Sequence, residues 1–180
     1  ILNRIKKHFK LSLHVVHVIY HLRGEDSNKD ELFVKKLADK LKLPFTVSHA
    51  DGKNEFKKGS LQDLAREIRY AVYEKVASKI NANKIALAHN LDDQIETMLM
   101  RMIRGSGLTG LIGMLSVRGK IIRPLINVKR TEINKYLKKL KVKARTDISN
   151  FKPIYLRNKI RLKLIPFIEK EYNARFKDSL

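Results

Sequence analysis

Apolar residues along the chain recur with two periods, and the switches between those periods mark out the elements. Ile1, Leu2, Ile5 and Phe9 stand at helical spacing with no cap before them, so Ile1–Phe9 reads as the end of a helix. Leu11–Tyr20 is apolar and β-branched, which predicts a strand, and Tyr20–Gly24 follows as a loop. A helix starts at Ser27 or Asn28 with Leu32, Phe33, Leu37 and Leu41 as its inner stripe, and Lys42–Pro44 ends it before a short strand at Phe45–Ser48. Ala50–Gly59 is a polar loop. The helix from Ser60 to about Ile80 buries Leu61, Leu64, Ala65, Ile68, Val72 and Val76, with Arg66, Arg69 and Tyr73 on one flank. Ile85–Ala88 reads as a buried strand that stops at a polar turn, and a helix begins near Asp92.

That helix turns Ile95, Met98, Leu99, Met102 and Ile103 inward and sets Asp93, Glu96, Thr97 and Arg104 on another face. Neither carboxylate is then needed for packing. Leu115–Ile122 predicts a hairpin or a connecting strand around Arg118-Gly119, and Thr131 opens a helix with Ile133, Tyr136, Leu137 and Leu140 inward. Asp147–Asn150 reads as a turn, and Tyr155–Glu169 as a helix interrupted by Pro166. No internal repeat is visible. Strands alternating with helices predict an α/β domain built on a largely parallel sheet.

Composition narrows the function. The 180 residues suffice for one domain with its own core. Lys plus Arg number 39 against 18 acids, a net charge of +21, which is more than solubility needs and points to a polyanionic partner. Nucleic acid is favoured over an anionic membrane, because no long apolar run or single basic amphipathic helix stands out. The chain has no cysteine, which excludes disulfides and cysteine-ligated zinc or iron–sulfur clusters within it. Its first residues are basic and amphipathic without the apolar core of a signal peptide, so the expected location is cytoplasmic.

Candidate chemistry concentrates in Ala86–Thr97, continuing through Arg104-Gly105-Ser106-Gly107 to Gly113-Met114. A histidine ends a strand, two carboxylates follow one turn apart on a helix, and a Gly-rich turn closes the helix. In open α/β sheets, ligands bind beyond the carboxyl ends of strands. Taken singly, Asn90 or Asp92 needs no more role than an N-cap, and Asp93 no more than a favourable place on the helix dipole. The whole string His89-x-x-Asp92-Asp93-x-x-Glu96-Thr97, followed by Arg104-Gly105-Ser106-Gly107 and Gly113-Met114, resembles the signature of the tRNA(Ile)-lysidine synthases, members of the PP-loop ATP pyrophosphatase superfamily. Ala65-Arg66-Glu67-Ile68-Arg69-Tyr70, Arg123-Pro124-Leu125, Asp147-x-Ser149-Asn150 and Arg157-Asn158-Lys159-Ile160-Arg161 match in order, so the resemblance runs from about Leu13 to Ile168.

The resemblance implies a parallel-sheet, Rossmann-like PP-loop ATPase domain over residues 1–127 that lacks its first strand, with residues 128–180 as a helical extension. The Ser-Gly-Gly-x-Asp-Ser loop of the family is absent, and Gly59-Ser60 is no substitute; the C-terminal domains of many relatives are absent too. At Tyr20-His21 the family has His then Gly more often, and Gln62 stands where glutamate is usual. The implied activity is ATP-dependent ligation of L-lysine to C2 of the wobble cytidine of tRNA(Ile) through an adenylated cytidine, with ATP and Mg²⁺ required. The family also implies roles: Asp93 and Glu96 bind the lysine ammonium or, through Asp93, help place Mg²⁺. His89 contacts nucleotide or moves a proton, and Arg69 with Arg66 stabilises phosphate or the activated base. Arg104 and Gly105 wall the site, and Arg157 and Arg161 hold ATP phosphate or tRNA. Without its PP-loop the isolated chain is expected to bind ATP poorly. A homodimer is compatible with this reading. Two alternatives remain open: a tRNA-binding module without catalysis, and another PP-loop tRNA-modifying enzyme.

Overall fold

The computed structural model describes residues 1–21, 24–50, 61–142, 144 and 155–179. The readings at Leu22-Arg23, Asp51–Ser60 and Asp147–Asn150 lie outside the described residues. Packing divides the chain into two compact units, Ile1–Ile85 and Ala86–Leu180, and the sequence boundary at 127/128 falls inside the second.

In the first unit a single turn, α1 (Leu2–Ile5), leads to β1 (Val15–Ile19). β1 pairs in parallel with β2 (Phe45–His49), in register from Val15 opposite Phe45 to Ile19 opposite His49. A parallel pair needs a crossover, and α2 (Glu25–Lys40) supplies it. α3 (Leu61–Lys79) completes the unit. Ile19, Ala38, Ala50, Ala65 and Ala77 are its buried apolar residues, and the small side chains let helix and strand approach closely.

Three details depart from the pattern. β1 starts at Val15 rather than Leu11, because the chain after α1 closes with a bond from the Leu11 amide to the Lys6 carbonyl. α2 starts at Glu25, two residues early, with Gly24 at φ +51° before it and Glu25 and Asp26 at the positive end of the helix dipole. Its inward residues are Ser27 and Ala38, while Leu32 and Leu41 of the expected stripe are exposed.

In the second unit, β3 (Ile85–Ala86) enters a three-stranded sheet of order β3–β5–β4. β4 (Val117–Arg118) and β5 (Ile121–Ile122) form the expected antiparallel hairpin, with Gly119 at φ +59° in its turn. α4 (Leu91–Ile103) is followed by α5 (Leu108–Leu111) and α6 (Arg130–Lys139). The last helix is continuous through three kinds of turn: α7 (Leu156–Lys159), a π-helical segment at Ile160–Leu164, and α8 (Ile165–Glu171). Pro166 therefore does not break it. Proline lacks an amide hydrogen and its ring strikes the carbonyl four residues back, and the widened turn before it accommodates both. Ile95, Leu99, Ile160 and Ile165 form the core between α4 and this helix, with Leu91, Met100, Leu156, Leu164 and Phe176 against it. Met102 and Ile103, expected inward, are each 54% exposed, and Ile103 lines an open apolar groove with Ile160, Leu164 and Phe167 of the last helix. Among the described residues no helix is long and apolar enough to cross a membrane.

Candidate functional site

The start of α4 is fixed by its own sequence. Asn90 is the N-cap: its side chain accepts from the Asp93 amide at 3.0 Å, and Asp93 Oδ2 accepts from the Asn90 amide at 3.0 Å. This reciprocal capping box satisfies two amides that the first turn leaves open. Asp92, the residue before Asp93, turns away to accept from the Arg130 amide at 2.8 Å and so caps α6. The acidic pair thus divides its work: Asp92 ties α4 to α6, and Asp93 shapes the strand-end turn.

Glu96 overturns the expectation from helical spacing. It is 1% exposed, as buried as Ile95 beside it. The polar face of α4 is covered because the last helix lies on it and brings two arginines. Arg157 Nε donates to Glu96 Oε2 at 2.7 Å, and Arg161 donates through Nε to Oε1 at 2.6 Å and through a terminal nitrogen to Oε2 at 2.9 Å. Arg157 also reaches Asp93 Oδ1 at 3.0 Å, and Arg161 stands 3.5 Å from the same oxygen. Two carboxylates and two guanidinium groups close a neutral cluster of short charge-assisted bonds. Hydrogen bonding to Glu96 raises the Arg161 pKa above its ordinary value against the opposing effect of burial. Asp93, with 19% of its side chain exposed, is the more open carboxylate. Arg157 and Arg161, expected on phosphate, are spent here on carboxylates.

His89 meets a residue to which the sequence assigned no role. Arg123 is 5% exposed, donates from one terminal nitrogen to the Leu115 carbonyl at 2.6 Å, and sends its Nε hydrogen to His89 Nδ1 at 3.2 Å. A guanidinium only donates, so Nδ1 is the acceptor and the ring proton sits on Nε2. Arg123 opens the Arg-Pro-Leu triplet already matched to the family, and that is the signal from which a partner for His89 was readable.

Backbone conformation accounts for two glycines of this stretch, Gly105 and Gly113. Gly105 adopts φ +79° and closes α4, with its amide on Met102 and the Ser106 amide on Arg101. A side chain there would meet open space, so backbone conformation rather than close approach requires glycine. Gly113, at φ +67°, is different: an added Cβ would lie 2.6 Å from the Gln94 amide nitrogen. Gln94 accepts from the Met114 amide at 2.7 Å and donates to its carbonyl at 3.1 Å, pinning the Gly-Met turn to α4. Arg101 adds bonds to the Gly110 and Gly113 carbonyls. Arg104 ends α4 exposed.

Arg66 and Arg69 belong to the first unit, on the exposed side of α3. Arg69 Nε donates to Tyr20 Oη at 3.1 Å, and Tyr20 donates to the Ala65 carbonyl at 2.7 Å. The Arg66 guanidinium lies 5.1 Å from the Tyr70 ring. Burial raises the Tyr73 hydroxyl pKa, with the Arg69 charge opposing it.

As for a metal, among the described residues no three histidine, cysteine, aspartate or glutamate side chains are placed to hold one. Asp93 Oδ1 already accepts from Arg157 and Oδ2 from the Asn90 amide, so it does not present the open carboxylate oxygen that the Mg²⁺ role expected of it needs.

The parallel pair, the α/β alternation and the strand-end turn with its capped helix define an α/β class of domain. Residues 1–168 match the family model of the PP-loop domain, and the chain belongs to that family. Over its full length it is 44% identical to the tRNA(Ile)-lysidine synthase of Caldanaerobacter subterraneus subsp. tengcongensis. Over 96% of its length it is 46% identical to the same enzyme of Clostridium acetobutylicum, and over 91% it is 43% identical to that of Bacteroides thetaiotaomicron. The chain spans 38–39% of the length of these relatives. Among solved structures, a U34-tRNA thiolase, NcsA from Methanococcus maripaludis with its 4Fe–4S cluster, superposes at a TM-score of 0.74 with 16% identity. The match covers 97% of this chain and 63% of that one, a likeness of fold.

Proposed function

We propose that this chain is most of the catalytic domain of an enzyme that joins L-lysine to C2 of the wobble cytidine of tRNA(Ile) at the expense of ATP. The supporting observation is identity of 39–46% to proteins named tRNA(Ile)-lysidine synthase along nearly the whole chain. A cytidine C2 oxygen is a poor leaving group. Its attack on ATP releases pyrophosphate and makes it part of an AMP ester. The lysine amine then forms the C2–N bond as the C2–O bond to AMP breaks, and the amine gives up a proton.

The residues divide this work. Asp93, the more open carboxylate of the cluster, binds the lysine ammonium or takes its proton. Glu96 acts at one remove, holding Arg157 and Arg161 so that the Asp93 oxygens keep one orientation. His89, with Nδ1 occupied by Arg123, presents Nε2–H as a donor to nucleotide oxygens rather than as the base. Arg69 and Arg66 offer exposed guanidinium groups to phosphate or to the activated base, and Arg104 with the Gly105 turn forms the wall of the nucleotide site. These cationic donors fit ATP. Mg²⁺ would come with the ATP phosphates and neutralise their charge.

The test is incubation of the full-length gene product with tRNA(Ile), ATP and radiolabelled lysine. The proposal expects label in the tRNA that depends on both ATP and the wobble cytidine. Binding of tRNA with no transfer of lysine supports the binding-module alternative instead. Sulfur transfer in place of lysine supports the thiolase class, to which a chain without cysteine would bring no cysteine ligand.

A further inference from the structure

The charge of the chain is unevenly spread over its helices. α2 carries four basic and five acidic residues, α3 four and three, and α4 one and three. α6 carries four basic residues (Arg130, Lys135, Lys138 and Lys139) against Glu132 alone, and Lys141 follows it. Glu132 is already engaged, accepting from the Lys129 amide at 2.9 Å. All five cations are exposed. Ile133, Tyr136, Leu137 and Leu140 face inward, and at 100° per residue Thr131, Lys135 and Lys138 lie opposite them, flanked by Lys139, while Arg130 stands at the start of the helix on the side of Leu137. Lys135 and Lys139 are one turn apart, about 6 Å along the axis.

We propose that the outward face of α6 is an RNA-backbone surface that takes successive phosphates of the tRNA substrate on Lys135, Lys138 and Lys139, with Arg130 and Lys141 at its ends. The proposal rests on the tRNA reading above. A folded RNA is the partner that fits. The face is cationic along its length and carries no large apolar side chain to insert into a membrane, as a surface-lying amphipathic helix would. Lysines at exposed helical spacing with no acidic partner meet phosphates as point charges, which gives position without sequence preference. Lysines in the last turn also complement the helix dipole. That effect acts on stability alone and leaves RNA affinity unmoved.

The experiment measures the dissociation constant of the 180-residue chain for a tRNA(Ile) transcript across a salt series. It compares the parent with the triple variant Lys135→Gln, Lys138→Gln, Lys139→Gln. A control triple on α2, Lys35→Gln, Lys36→Gln, Lys40→Gln, removes the same charge elsewhere. Loss of three phosphate contacts weakens affinity on the order of 100-fold at 0.1 M salt and flattens the log–log salt slope by about 2 to 3. The α2 variant stays near the parent, and the Lys→Arg triple on α6 restores binding. Equal losses for the α2 and α6 variants, or an α6 variant with parental affinity and slope, overturn the surface while leaving the tRNA reading intact. Failure of the parent to bind tRNA at all overturns the reading beneath it. Phosphatidylserine vesicles run in parallel: α6-dependent capture by vesicles without tRNA binding assigns the face to a membrane and overturns the proposal.

Discussion

Replacing Glu96 with Gln is the substitution that the helical pattern marks as harmless and the structure marks as severe. Three N–H groups from Arg157 and Arg161 converge on the two Glu96 oxygens at 2.6–2.9 Å. A carboxylate has acceptor capacity for all three. An amide keeps one acceptor oxygen, so one edge presents N–H to N–H and at least one bond is lost. The remaining bonds also lose their charge assistance, worth about 1.5–3 kcal/mol apiece before compensation. Removing one partner of a buried ion pair costs about 3–5 kcal/mol. Here the arginine side chains are 23–28% exposed and water relieves part of the loss, so we expect about 3 kcal/mol, the low end. In a chain of this size that is a fall in Tm of about 6–12 °C. The assay is thermal melting by calorimetry, with an Arg161→Gln partner to close a double-mutant cycle. A loss below about 1 kcal/mol, or additive single effects, would show that the cluster does not hold the last helix on α4.

Other outcomes follow from the same contacts. Lys42 closes α2 at φ +52° with the Leu43 amide on the Ala38 carbonyl, so Lys42→Gly relieves left-handed strain of about 1–2 kcal/mol. After the added entropy of glycine in the unfolded chain, urea unfolding should show a net gain of about 0.5–1 kcal/mol. Burial lowers the pKa of the His17 ring and the His49 charge adds to it, while Asp30 and Glu31 oppose. The folded state therefore binds fewer protons there than the unfolded state. Its contribution to stability is present above the ordinary histidine range and lost as pH falls through the unfolded and then the folded pKa. His17→Gln should flatten that part of the urea-midpoint profile, and an unchanged slope would remove His17 from the account. Arg123→Met frees His89 Nδ1, and nitrogen NMR of the His89 ring should show loss of its strict Nε2–H preference; the parent tautomer surviving in the variant would contradict the contact.

Local order was legible where it depends on local sequence. The period-3.6 stripe of α6, the apolar run of β2 and the Arg118-Gly119 hairpin all lie where pattern and turn chemistry place them. The Asn90 cap was one of two candidates that the sequence offered. What was not legible depends on partners far along the chain. Helical spacing put Glu96 on a polar face and could not show that Arg157 and Arg161, 61 and 65 residues later, would cover it. The sequence signal is the pair itself, two arginines one turn apart, a spacing that suits an internal carboxylate as well as a phosphate. Pro166 misled in the opposite way. It marked an interruption that a single widened turn absorbs. Arg123 sat in a recognised triplet but gained a role only once the fold set its Nε beside His89.

The central claim is that the gene product carrying these residues builds a lysine adduct on the wobble cytidine. Nucleoside mass spectrometry of tRNA(Ile) tests it most directly, after incubation with the full-length product, ATP and lysine, beside an Asp93→Asn variant checked to melt as a folded protein. The account predicts that the wobble cytidine is replaced by its lysine adduct with the parent protein, and that conversion falls on the order of 100-fold or more with the variant. An unmodified wobble cytidine with the parent protein would contradict the function. Full conversion by a folded Asp93→Asn protein would contradict the place given to Asp93 in it.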